Sequence, residues 1–162
     1  MDRITNTHVY FWGSELSNWY GCKFIHDNHE FNNSEQAFMW EKAKFFGDDE
    51  TAELILNTPD PRTAKELGRQ VKNFNRELWL KRGYDAMVIV NLAKYKQNNH
   101  LKNILLSTDN KILVEASPVD TIWGIGLHWN DDDCLDESNW NGMNLLGKAL
   151  MEVREKIKIN YE

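Results

Sequence analysis

Cysteine, proline and unbroken apolar stretches are all scarce in this sequence. Two cysteines, Cys22 and Cys134, give neither a disulfide framework nor the ligand spacing of a structural zinc site, and both read as free thiols. The prolines number three, and no linker, repeat or low-complexity tract interrupts the chain. No run approaches the roughly 18 uncharged apolar residues of a membrane span. The opening Met1-Asp2-Arg3-Ile4-Thr5-Asn6 lacks the apolar stretch of a secretory signal, so the expected location is the cytoplasm. Basic charge is short as well: 19 Lys and Arg stand against 25 Asp and Glu, a net charge of -6. That balance disfavours non-specific attraction to duplex DNA and leaves room for a basic pocket that meets one or two phosphates.

What is present describes a folded protein. At 162 residues, with 41% hydrophobic and 27% charged side chains, the chain has the size and composition of one core. Seven tryptophans stand out, because large amphipathic rings either build a core or stack on a planar ligand.

The first 32 residues read as small-sheet material, with short strands around Gly13 and Gly21 and a tight hairpin at Asp27-Asn28. From Asn33 or Ser34 the period becomes helical and runs to Phe46, where Gly47 ends it. Shorter helices are expected over 48–57 and, opened by Asp60-Pro61, through Arg69. A long helix over 75–97 follows, with Gly83 as a weak point, then a turn or two of helix over 101–106 and a strand over 111–116. A loop rich in Trp, Gly and acid spans 120–140, and an amphipathic helix over 142–159 closes the chain with Leu145, Leu146, Ala149, Leu150 and Val153 inward. The expected fold is α+β and predominantly helical: a single domain, residues 1–162, with a small sheet from the N-terminal strands and the late strand.

Several patterns bear on chemistry. Glu35, Met39, Lys42 and Phe46 share one face of the first long helix, with Glu35 and Lys42 about 10 Å apart along the axis. That distance exceeds a routine ion pair, but both heads can converge on something bound between them. Periodicity alone leaves a second reading open, in which this is the solvent face and Phe38, Trp40 and Phe45 cover the core. Asp120-Thr121-Ile122-Trp123-Gly124 places a carboxylate and an indole in a loosened segment after a strand, which suits a binding loop, while composition alone favours a surface turn capped by Asp120 with Trp123 as a core plug. Gly142 to Gly147 opens the last helix with amides that can face an anion, though a plain helix start explains it too. Lys65, Arg69, Lys94 and Lys96 are phosphate-directed cations or a solvated helical face, and Trp79 is core or stacking platform. The five histidines share no metal motif, so neither metal nor cofactor is expected. Asp131-Asp132-Asp133 reads as a solvated acidic turn.

Taken in order and spacing, LSNWYG, SEQAFMWEKA, AKELGR, LVEASPVDTIWGIG and MNLLGKALMEVRE resemble the NADAR family of N-glycosidases over nearly the whole chain. The resemblance implies hydrolysis of an N-glycosidic bond on a ribose attached to a guanine-like amino group. Its substrates would be early phosphorylated riboflavin-pathway intermediates or ADP-ribosylated guanine in nucleic acid. It implies Glu35, Asp120 and Lys42 as catalytic residues, Lys42 either attacking the opened sugar as a Schiff base or staying charged to hold a hydroxyl or phosphate, and Trp79, Trp123, Gly124, Arg69 and Asn144 as substrate-binding ones. Gln36 stands where the family commonly has His, and Ile125 and the DDDCLDESNW insertion alter the loop after Trp123, which bears on substrate identity. The expected partner is a nucleotide-like small molecule or ADP-ribosylated guanine, with no membrane. A non-catalytic module that recognises ADP-ribose is the competing class, and a structural partner of other proteins, resting on exposed tryptophan surface, is the third.

Overall fold

Five short strands and six helices make up the chain in the computed structural model, which describes residues 2–161 and the side chains of residues 2–159. Both ends of the expected 1–162 span therefore lie outside the described residues. The strands are β1 (Arg3–Ile4), β2 (His8–Phe11), β3 (Phe24–His26), β4 (His29–Phe31) and β5 (Ile112–Glu115). The helices are α1 (Ser34–Phe45), α2 (Asp49–Leu56), α3 (Pro61–Arg69), α4 (Arg76–Gln97), α5 (Asn99–Ser107) and α6 (Leu145–Tyr161). This is the expected α+β class, dominated by helix. Contacts divide the chain into two compact units: Asn18–Asn99, and the residues up to Ser17 together with those from His100 onward.

The unit Asn18–Asn99 starts with the hairpin β3–β4, paired Phe24 to Phe31 and His26 to His29. Its turn works because Asp27 and Asn28 accept positive φ, 49° and 63°, the geometry of a tight two-residue connection. Asn33 then caps α1, its Oδ1 accepting from the Gln36 backbone N–H at 2.8 Å. Gln36, the residue flagged for departing from a common His, is fully buried; its side-chain amide donates to the carbonyls of Ile55 and Leu56, at 2.9 and 3.2 Å, tying α1 to the end of α2.

α1 is the centre of this unit. Helices α2, α3 and α4 all pack against it, and residues 34–40 and Ala43 are buried in every direction around the axis. The solvent-face reading of Glu35, Met39, Lys42 and Phe46 is thereby overturned: Met39 is only 8% exposed, whereas Phe45, assigned to the core, is 43% exposed. Asp48 caps α2 through Thr51 and also accepts from the Lys72 N–H at 2.9 Å, which pins the connection between α3 and α4. Asp60 caps α3 with Pro61 at its first position. The long helix α4 runs unbroken through Gly83, because the glycine is packed beneath the Trp79 ring, where a Cβ would sit 3.2 Å from the indole. Asn91, fully buried, accepts from the Ser34 hydroxyl at 3.1 Å and links α4 to the start of α1.

The other unit is built on a three-stranded sheet ordered β1-β2-β5. The pair β2–β5 is parallel, His8 opposite Ile112 through Phe11 opposite Glu115, and β1, which the sequence pattern did not reveal, adds an antiparallel edge. Tyr10, Val114, Ala116, Ile125 and Cys134 form a buried cluster there. α6 lies directly on β5: a Cβ on Gly147 would come 2.1 Å from the Leu113 carbonyl. The helix begins at Leu145 rather than Gly142, because Asn144 has φ 52°, outside the helical region. Consequently the inward stripe shifts to Leu146, Ala149, Leu150, Val153 and Ile157, with Leu145 half-buried. The 120–140 segment is less irregular than its composition suggests, since Asp131 and Asp136 cap two short 3-10 turns. Among the described residues no helix is long and apolar enough to cross a membrane.

Candidate active site

In the unit Asn18–Asn99, Glu35 sits in the first turn of α1, 8% exposed, its backbone N–H donating to the Asn18 carbonyl at 3.0 Å. Two turns on, Lys42 is half-buried with Nζ 4.4 Å from the centre of the Phe74 ring. Burial pushes the Lys42 amine below the ordinary lysine range, the Glu35 carboxylate opposes that fall, and the Arg69 guanidinium adds to it. Glu35, Lys42 and Arg69 therefore share one electrostatic neighbourhood. The close approach of α3 to α1 is set by Gly68, where an added Cβ would run into the Met39 side chain. Arg69 itself is exposed and pairs with Glu66 one turn earlier on α3.

Aromatic rings wall this region. Trp79 is 7% exposed and packs against Phe38, Phe45 and Phe46, with ring centres at 5.2, 6.0 and 6.2 Å. Phe46 also meets Phe74 edge-on at 5.5 Å. Next to Asn18, Trp19 is 38% exposed with the Arg62 guanidinium 5.6 Å from its ring. Of the cations marked as phosphate-directed, Lys94 is fully buried, with Nζ 4.9 Å from the Tyr95 ring, so it is no part of a solvated face. Phe74 was missed by sequence reasoning; the one available signal was its place just before Asn75, the cap of α4.

Asp120, Trp123, Gly124 and Asn144 belong to the other unit. Asp120 Oδ1 accepts from the backbone N–H groups of Ile122 and Trp123, at 2.9 and 2.8 Å, so the carboxylate fixes the turn that presents the indole. Gly124 is buried, and a Cβ there would lie 2.9 to 3.0 Å from the carbonyls of Asp120 and Glu115 and the Ser117 side chain. Asn144 is 2% exposed; its side chain accepts from the Glu115 N–H and donates to the Leu113 carbonyl, both at 2.9 Å. It thus behaves as one more backbone amide beside β5 and holds the entry to α6 against that strand.

The structure brings Glu35, Lys42, Arg69 and Trp79 together in one unit, and Asp120, Trp123, Gly124 and Asn144 in the other. A buried carboxylate and a guanidinium that both act on one half-buried amine, with aromatic rings packed around it, can move a proton and hold an anion, the equipment of hydrolases that work on sugars and nucleosides. The chain belongs to the NADAR family, matching the NADAR domain over residues 10–158. It is 38% identical to N-glycosidase R617 of Acanthamoeba polyphaga mimivirus over 165 residues, 94% of this chain and 97% of that protein. It is 44% identical to Protein irg-1 of Caenorhabditis elegans over 135 residues, 82% of this chain, and the match spans 64% of that longer protein. The NMR structure of the E. coli protein YbiA is similar with a TM-score of 0.79 at 27% identity, covering 98% of this chain and 89% of the other.

Proposed function

We propose that this chain hydrolyses the N-glycosidic bond between a ribose, carried on a phosphate or within ADP-ribose, and a guanine-like amino group. Its broader class, an N-glycosidase, is the one that R617 bears in its name. Residues 1–162 act as one N-glycosidase domain, since the NADAR match runs through both units. The reaction takes place in the cytoplasm, on a nucleotide-like small molecule or on ADP-ribosylated guanine in nucleic acid.

The chemistry follows from the side chains. The bond from the anomeric carbon to nitrogen breaks, its electron pair leaves with the nitrogen, and that nitrogen takes up a proton; water adds hydroxide to the sugar carbon and releases its second proton. Glu35 and Asp120 serve this proton transfer and the positive charge that builds on the sugar. Trp79 and Trp123 supply aromatic surface for the base, and Arg69 meets phosphate. Gly124 leaves the Trp123 turn tight, and Asn144 acts on substrate through the segment it holds. The observation that carries this reading is the buried Glu35 sharing its surroundings with Lys42 and Arg69.

The test is incubation with ADP-ribosylated guanosine DNA and, separately, with the ribosylamino-pyrimidine phosphate, scoring released sugar. Wild-type protein should release it from one of them, and Glu35→Ala and Asp120→Ala should lose it; full activity in both variants removes the assignment. A second reading, an ADP-ribose-binding module without catalysis, draws on the exposed Trp19–Arg62 pair, which suits stacking on a base. Tight calorimetric binding of ADP-ribose with no release from either substrate would favour it.

A further inference from the structure

We infer that Asn91, in the interior of α4, is a positioning residue for Glu35: its buried side-chain amide fixes the first turn of α1, and with it the direction of the Glu35 carboxylate. This deepens the proposed function and rests on Glu35 taking part in the chemistry.

An asparagine at position 91 is costly. It is fully buried inside a helix, where Asn is a poor former, on the same helix as the buried apolar Met87, Val90 and Tyr95. An aliphatic side chain would pack α4 against α1 at less cost, and what the amide adds is direction. Its Oδ1 accepts from the Ser34 hydroxyl at 3.1 Å, and its Nδ2 donates to the Asn18 Oδ1 at 3.4 Å and to the Met87 carbonyl at 3.0 Å. Ser34 directly precedes Glu35, and the Asn18 carbonyl accepts from the Glu35 N–H at 3.0 Å. The Asn18 side-chain amide in turn donates to the Met87 sulfur at 3.3 Å, so both residues that touch the Glu35 backbone are tied to α4.

A plainer role for Asn91 is to satisfy its buried polar neighbours and no more. Placement argues for the larger role. The same turn of α1 is already gripped through Asn33, whose amide donates to the Pro59 carbonyl at 2.7 Å, and through Gln36, whose amide donates to the end of α2. Asn91 adds the hold from α4, and two holds on one turn leave the acid inside it little freedom, where a small misplacement costs rate. Asn18, Ser34 and Asn91 are all neutral, so they act on the charges nearby by placing Glu35 rather than by any charge of their own. Lys42 registers that placement: burial lowers its titration, Glu35 from α1 raises it and Arg69 from α3 lowers it, with the Phe74 ring against the amine.

The decisive experiment joins kinetics to an NMR titration of the Lys42 side chain in wild type, Asn91→Leu, and Asn91→Leu combined with Ser34→Ala, with Glu35→Gln as the reference for a lost carboxylate. In Asn91→Leu kcat should fall about 10- to 100-fold with KM nearly unchanged. Lys42 should titrate lower than in wild type, towards its value in Glu35→Gln. The melting temperature should fall too, since the Ser34 hydroxyl and the Asn18 Oδ1 lose their partner. Removing the hydroxyl in the double variant should recover part of that stability while kcat stays low. A kcat that recovers together with stability overturns the inference, as does a Lys42 titration equal to or above wild type in Asn91→Leu. Should Asn91→Leu fail to fold, Ser34→Ala alone breaks the same bond and gives the same comparison. The titration needs no activity, so wild-type protein inert on both substrates would remove the proposed function while the placing of Glu35 by Asn91 still stands or falls by itself.

Discussion

At the scale of single residues, what matters is how few charges are kept inside. Glu35 is a buried carboxylate on a helix wrapped by three others, and it and the Arg69 guanidinium act in opposite senses on the Lys42 amine. Replacing Glu35 by Gln keeps its shape and removes its charge, so kcat should fall by about 10² to 10⁴ with the melting temperature nearly unchanged, measured by product release and thermal unfolding. The same substitution should lower the titration point of Lys42, because the carboxylate holds it up; Arg69→Gln should raise it, because the guanidinium holds it down. Side-chain NMR of Lys42 reads both signs. The spacing of Glu35 and Lys42 was legible in the sequence. Whether their face met water or protein was not, since a period of 3.6 states which residues share a face and never what covers it.

Elements are held by short polar side chains at their ends. Asn33→Ala removes the cap of α1 and a 2.7 Å bond from the Asn33 amide to the Pro59 carbonyl. It should cost about 1–2 kcal/mol in denaturant unfolding and lower activity by loosening the turn that carries Glu35. Asn144→Ala strands a buried N–H of Glu115 and the carbonyl of Leu113 and puts Ala at a φ of 52°; a loss of about 2–4 kcal/mol is expected in the same measurement. Asp48 gives an acid-sensitive joint. The Lys72 N–H, then the Thr51 hydroxyl and N–H, hold its carboxyl below the ordinary range. A carboxylate with a depressed folded value stabilises fully above its unfolded value of about 4 and loses that contribution as pH falls through the folded one. Wild type should therefore lose its margin over Asp48→Asn on acidification below about pH 4, with little change above pH 5. The caps Asn33 and Asp60 could be read from sequence because capping is local, whereas Asp48 and Asn75, expected inside their helices, are the caps of α2 and α4. β1 could not, because two residues carry no periodicity.

The whole molecule carries net charge -6, yet α3 and its neighbour Lys42 gather Arg62, Lys65 and Arg69 in one region. Unmodified duplex DNA should not be retained at about 0.15 M salt in a filter-binding assay, since few phosphates can be neutralised at once. The amino-acid order by itself determined the helical segments, the caps of α1 and α3, the tight Asp27-Asn28 turn and the set of residues that resembles a glycosidase, because all of these depend on neighbours within a few positions. Only the tertiary structure decided that α1 is enclosed rather than half-exposed, that β2 pairs in parallel with β5 about 100 residues further along the chain, that Asn144 is bound into the strand beside it, and that Phe74 lies under Lys42. Those facts are pairings between distant segments, and they are fixed by which surfaces bury one another rather than by any local pattern.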